Sequence, residues 1–250
     1  MSHEPTGLPL LAIRIANRIG RPLGVNPFPR AFPNPLADEV GQAAEVFDEV
    51  YRRNYWGSEQ SRSGVGSETT FTARYGTGLA ALIRARGFRR VFDAPCGDLN
   101  WIAPLIAETG IEYVGGDISS LVVEDGQCRH PALDLRVFDI TKDSFPEADV
   151  WHCRDCLFHL PFEAIRRALS NFASSSIPYA LITSHRARFL HRNLDVGFGG
   201  FRFLDLQRAP IILPRPLERI PDFTVGQDFP RYVCLWSRTQ IADALSGWDA

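Results

Sequence analysis

Two stretches decide the fold: RRVFDAPCGDLNW at 89–101 and IEYVGGDIS at 111–119. Each opens on a short apolar run suited to a buried strand and runs into an aspartate, Asp93 or Asp117. Buried strands seldom finish in a carboxylate, because a desolvated charge needs partners. Gly97 follows the first strand, where the missing Cβ lets a ligand approach the backbone. The helix expected over Trp101–Glu108 turns unpaired N–H groups toward that approach. The pattern then repeats. A strand over Leu133–Ile140 carries Asp139, one over Ala148–Asp155 ends in Asp155, and one over Tyr179–His185 ends in His185. Helices fall between them, a short one capped by Ser119 or Ser120 and a longer one over Pro161–Ser174, with proline near its start. This alternation builds an α/β domain with a doubly wound, mainly parallel sheet. Such sheets bind ligands outside the C-terminal ends of their strands.

Upstream, Leu8–Ile19 reads as an apolar helix interrupted by Arg14 and Arg18, followed by the proline-rich GRPLGVNPFPRAFPNPL at 20–36. Residues 1–36 are therefore expected to form an N-terminal arm, a surface through which a homodimer could form, and 37–250 the domain proper. A helix is expected over Asp38–Arg53, with Val40, Ala44, Phe47, Val50 and Tyr51 on one face. A second, over Thr70–Arg86, is closed by Gly87. Downstream of His185 the pattern fades. Residues 186–230, rich in Arg, Gly and Pro, read as a lid or acceptor insertion, before a last strand at Arg231–Arg238 and a helix at Thr239–Leu245.

The formal net charge of −2 leaves no global positive field for nucleic acid or an anionic membrane. Arginine supplies almost all the basic charge, Lys142 being the one lysine. Five cysteines and no signal-like leader point to reduced thiols and a cytoplasmic enzyme. Cys153 and Cys156 form a CxxC with no companion pair, which favours packing over metal or redox chemistry. No stretch approaches the ~20 apolar residues that span a bilayer.

The strand-end carboxylates suggest a nucleoside ligand with an amino-acid end. Asp117 is placed to accept both hydroxyls of a ribose, Asp139 to accept from an adenine amino group, and Asp93 to orient the loop or meet an ammonium. These features resemble the class I S-adenosylmethionine-dependent methyltransferases: VFDAPCGD matches their first motif, YVGGDIS the second, FDI the adenine-side motif and DVWHCRDCLFHL the fourth. The resemblance, over about 51–185, implies a Rossmann-like, seven-stranded fold and S-adenosyl-L-methionine as cofactor, released as S-adenosyl-L-homocysteine. It implies that Asp93, Pro95, Cys96, Gly97, Asn100 and Trp101 line the methionine side, that Asp117 and Ile118 hold the ribose, that Asp139 and Ile140 hold the adenine, and that Arg154 also belongs with the cofactor. Leu99 departs from the family's second glycine and leaves the close approach to Gly97 alone. No NPPY-like segment of nucleic-acid methylation occurs; CRDC stands there instead.

A closer resemblance is to a bacterial subgroup with a WGS…SRSG segment before the first motif and an NxDxGxxR pattern after the last. Here these are Trp56, Ser61, Arg62, Ser63 and Gly64, and Asn193, Asp195, Gly197 and Arg202, the second with altered spacing. The first segment reads equally as a lid over cofactor or acceptor and as a helix-connecting turn anchored by Trp56.

Methyl transfer from a sulfonium relies mainly on in-line positioning, and a hydroxyl acceptor adds the need for a base. His159 and His185 are the candidate bases, with Asp155 as orienter. His152 is set aside as pointing to the wrong end of its strand. Mg²⁺ is conceivable through Asp155 and Asp195 but is not expected. The expected activity is O-methylation of a small hydroxylated acceptor. A saccharide or glycoconjugate is favoured because the insertion is rich in Arg, His and Asp, although Phe198, Phe201 and Phe203 would suit a hydrophobic one. The alternatives are a non-catalytic scaffold or activator subunit docking through 1–36, and an NAD-dependent oxidoreductase, which lacks its GxGxxG turn here.

Overall fold

The structure, a computed structural model, describes residues 31–186, 191–222 and 230–248. The helix expected over Leu8–Ile19 and most of the N-terminal arm lie outside them. The described chain opens with strand β1 (Ala31–Phe32) and helices α1 (Leu36–Val40) and α2 (Ala43–Arg52). The single helix expected here is thus two, parted at Gly41, whose φ of 80° lies outside the helical region. Next come α3 (Thr69–Arg86), β2 (Arg90–Asp93), α4 (Ile102–Thr109), β3 (Glu112–Asp117) and α5 (Ser120–Arg129). Gly87 ends α3 with φ 66°, and Ser119 caps α5 by accepting from the Val122 N–H. There follow β4 (Asp134–Val137), β5 (Val150–Cys153), α6 (Phe162–Ala173), β6 (Tyr179–His185), β7 (Phe201–Arg202), β8 (Glu218–Pro221), β9 (Arg231–Ser237) and α7 (Arg238–Ser246). Ser237 and Gln240 close a capping box on α7.

Seven strands form one sheet in the order β4-β3-β2-β5-β6-β9-β8, parallel from β4 through β6 and antiparallel at β9 and β8. Strand order reverses between β2 and β5, so a crevice opens above their C-terminal ends. Alternation along the strands feeds two cores. Val91, Tyr113 and Val150 pack with α3 and α4 on one face; Phe92, Val114 and Trp151 pack with α6 on the other.

The described residues of 186–230, expected to form a lid or acceptor insertion, also contribute to the core and to the sheet. Leu204, Leu206, Ile211 and Leu213 are buried in the α6-side core, and β8 is the seventh strand of the sheet. Apolar residues spaced through LDLQRAPIIL cover the sheet face near β6 and β9; the Arg and Pro content that suggested a lid sits between them.

Candidate active site

A cavity of about 430 Å³ lies over the C-terminal ends of β2, β3 and β5. The loop after β2 forms its floor. There Gly97 (φ 57°) turns back so that its N–H donates to Asp117 Oδ2 at 3.1 Å. A Cβ at Gly97 would stand 2.5 Å from Ser63 Oγ, so glycine is needed for space as well as for conformation. Leu99, where a second glycine was expected, adopts φ 59° and buries its side chain in the core. The turn keeps a left-handed residue there, and packing offsets the steric cost of a Cβ.

Asp117 is held by two backbone donors, Gly97 to Oδ2 and Ser119 to Oδ1 at 3.0 Å. Burial pushes its pKa up to about 6, against the lowering effect of those donors. Each oxygen keeps a second lone pair for a ligand hydroxyl. Pro95, Cys96, Trp101, Ile118, Asp139, Ile140, Arg154, Asp155 and His159 line the same cavity. Asp139 Oδ1 accepts from the Thr141 N–H and hydroxyl at 2.9 and 2.7 Å, which fixes it beside the cavity. Asn100 does not line the cavity. Its Nδ2 donates to the Ser67 carbonyl at 2.9 Å and ties the first-motif loop to the SRSG segment.

That segment is a strap fastened across the loop. Ser61 Oγ and the Arg62 N–H both donate to the Asp98 carboxylate at 2.9 Å, and Ser63 Oγ accepts from the Asp98 N–H at 2.9 Å. Gly64, at φ 93°, lies against Trp56. Trp56, Arg62 and Ser63 line the cavity, whereas Ser61 and Gly64 shape the strap behind them.

His152 is where the sequence reading erred. Parallel register sets it beside Asp93, and both are almost fully buried against the cavity. Its Nδ1 lies 2.6 Å from Asp93 Oδ1, and Tyr113 donates to Asp93 Oδ2 at 2.7 Å. Tyr75 stands 2.8 Å from His152 Nε2. Burial pushes both phenols well up, so they remain O–H donors. Asp93 therefore has both oxygens engaged within the protein. Each oxygen, like those of Asp117, keeps a second lone pair, so this geometry fits both of the expected roles, orienting the loop and meeting an ammonium. Only the pairing of β2 with β5 could have revealed this network.

Arg154 and Asp155 join a buried quartet of charges. Arg154 pairs with Asp222 at 3.0 Å and Asp155 at 3.3 Å; Arg231 pairs with Asp222 at 3.1 Å and Asp155 at 3.2 Å. Burial pushes the Asp155 pKa up, but the two guanidinium groups outweigh it and hold the carboxylate ionised. Arg154 also lies over the Tyr75 and Trp101 rings, each centroid 5.3 Å away. Removing one member of such a set leaves an uncompensated charge. Asp222→Ala is expected to destabilise the protein by about 3–5 kcal/mol, seen as a lower urea midpoint.

His159 lies in the short turn after β5 and faces the cavity. Its Nδ1 is 2.6 Å from the Gly200 carbonyl, which can only accept, so the ring proton sits on Nδ1 and Nε2 carries the lone pair. Trp56 stacks on the ring with centroids 4.9 Å apart. Burial lowers the His159 pKa to about 4. His185 does not line the cavity. It is buried among Phe158, Phe201 and Phe203, its Nδ1 accepts from the Leu204 N–H at 3.2 Å, and burial lowers its pKa to about 3. It packs among aromatic rings, away from the cavity.

The NxDxGxxR residues build the scaffold and do not reach the cavity. Asn193 Nδ2 donates to the Asp205, Arg208 and Ala209 carbonyls. Asp195 accepts from the Phe162 N–H at the start of α6. Arg202 is fully buried, donates to the Leu157 carbonyl and lies over the Phe162 ring. From this stretch Phe198 alone, among the described residues, lines the cavity, joining Phe47, Tyr51 and Trp56. Among the described residues, this stretch therefore gives the cavity an aromatic side chain where polar ones were expected.

Asp155 and Asp195 serve in separate places, and among the described residues no group of three His, Cys, Asp or Glu side chains is arranged to hold a metal. Cys153 and Cys156 are both buried in the α6-side core. No helix of the described residues is long and apolar enough to cross a membrane.

By sequence the chain matches no family model and no curated protein. By structure it is similar to magnesium protoporphyrin IX methyltransferase of Synechocystis PCC 6803, solved with bound S-adenosylmethionine, with a TM-score of 0.55 and 16% identity over 82% of this chain and 97% of that one. The fold is that of the S-adenosylmethionine-dependent methyltransferases. The N-methyltransferase NodS of Bradyrhizobium japonicum WM9 is similar over 76% of this chain and 98% of its own, with TM-score 0.56 and 15% identity. Human N-acetylserotonin methyltransferase gives 0.56 and 14% over 87% and 66%. These three hold S-adenosylmethionine or S-adenosylhomocysteine.

Proposed function

We propose that this chain binds S-adenosylmethionine and transfers its methyl group to a hydroxyl of a small acceptor. One observation carries the reading: Asp117, at the end of β3, lines a cavity at the sheet's switch point and has one backbone N–H on each carboxylate oxygen. That is the geometry for accepting two vicinal hydroxyls of a ribose. Pro95, Cys96 and Gly97 would face the methionine end, Ile118 the ribose, and Asp139 and Ile140 the adenine. The sulfonium supplies an activated methyl group and a neutral leaving group. What the chain adds is alignment, exclusion of water by Trp56 and Phe198, and a base at His159 Nε2.

The acceptor is a hydroxylated molecule with an apolar face. A saccharide ring laid with its C–H face on Trp56 satisfies the aromatic walls and still offers a hydroxyl to His159. In a calorimeter, S-adenosylmethionine is expected to bind at micromolar concentration and NAD to give no heat. A glycoside screen with labelled donor then identifies the acceptor. A folded, ligand-free protein that gives no heat with the donor would reject the enzyme reading and favour the scaffold one.

A further inference from the structure

A second pocket lies at the opposite edge of the sheet. It is formed by the end of β6, the segment 205–215 and the edge strand β8, and it shares no lining residue with the first. Arg186, Arg208, Arg215 and Arg219 converge on it, and among the described residues Asp205 is the one carboxylate there. Asp205 lies 3.4 Å from Arg208 Nε, while Arg219 Nη2 donates to the Gln207 side-chain carbonyl at 2.7 Å. Arg186 and Arg215 are exposed and form no ion pair among the described residues. Both can therefore turn toward an incoming anion.

Gathering four like charges around one carboxylate is unfavourable until an anion fills the space between them. Guanidinium forks match tetrahedral oxyanions two oxygens at a time, and the polar walls give an apolar ligand little to hold. The geometry points to a binding site for a phosphate or pyrophosphate group, separate from the donor cavity and independent of the methyl-transfer reading. Arg219, in β8, and Arg208 fix the floor; Arg186 and Arg215 close on the anion from the rim.

The full chain is titrated with inorganic pyrophosphate at low salt and, in parallel, sedimented with vesicles of phosphatidylcholine with and without phosphatidate. The Arg186→Ala/Arg215→Ala double variant is measured alongside. Both residues are exposed, so folding is not at risk, and an unchanged urea midpoint verifies this. Saturable pyrophosphate binding that weakens by at least about tenfold in the double variant supports the site and a soluble phosphate ligand. Binding confined to phosphatidate vesicles and lost in the variant supports the site and a lipid headgroup. Binding in neither form, binding the variant retains, or pyrophosphate displaced by S-adenosylmethionine would each overturn it.

Discussion

Affinity for S-adenosylmethionine is expected to fall about tenfold for each pH unit below about 6, the value to which burial raises Asp117. The ribose hydroxyls donate, so the ligand selects the ionised carboxylate, and protonation removes the acceptor. The same shift has an opposite consequence for the free protein. A carboxyl whose folded pKa exceeds its unfolded value of about 3.9 favours folding when protonated. That contribution is complete below the unfolded value and is lost as pH rises through about 6, a cost on the order of 3 kcal/mol at neutral pH. Asp117→Asn gives only one acceptor oxygen and turns an amide N–H toward the Gly97 N–H. It should weaken ligand binding by roughly a hundredfold or more, given about 1.5–3 kcal/mol per hydrogen bond to a charged group. Calorimetry across the acid range checks both. Wild-type affinity that stays flat with pH, together with normal binding by the variant, would remove Asp117 from the donor site.

The second large effect is on turnover. His159→Gln should lower kcat by about 10²–10⁴ with whichever acceptor the screen identifies, while donor affinity stays unchanged. Glutamine can still donate to the Gly200 carbonyl but has no basic nitrogen. A base works in its neutral form, and burial holds His159 near 4. At saturating donor the wild-type kcat should therefore rise with pH only through that region and be level above it, with no limb at the ordinary histidine value of about 6.5. A variant with full kcat would show that positioning alone drives transfer.

Much of this was legible in the sequence because it depends on local pattern. Short apolar runs closed by Asp93 and Asp117, separated by helix-length segments, dictate a parallel α/β sheet. Gly97 between them marks the backbone approach, and Gly87 marks a helix end. The strap from Trp56 to Gly64 was visible as a loop carrying tryptophan and arginine. Its fastening to Asp98 was not, since that depends on a contact between separate segments.

Register and packing decided the rest. His152 appeared to face away until β5 paired with β2 and set it beside Asp93. The histidines at 159 and 185 look alike in sequence, yet one edge is open to the cavity and the other ring is sealed among phenylalanines. The polar residues of 186–230 suggested an acceptor surface, but Asn193 and Asp195 hold backbone groups together, and among the described residues of that stretch an aromatic one reaches the site. The sequence by itself determined the strand-end carboxylates and the alternation that lines them up, because local periodicity specifies both. The tertiary structure alone decided which titratable side chains share the cavity and which ones burial has made structural, because desolvation and partner geometry arise only when distant segments meet.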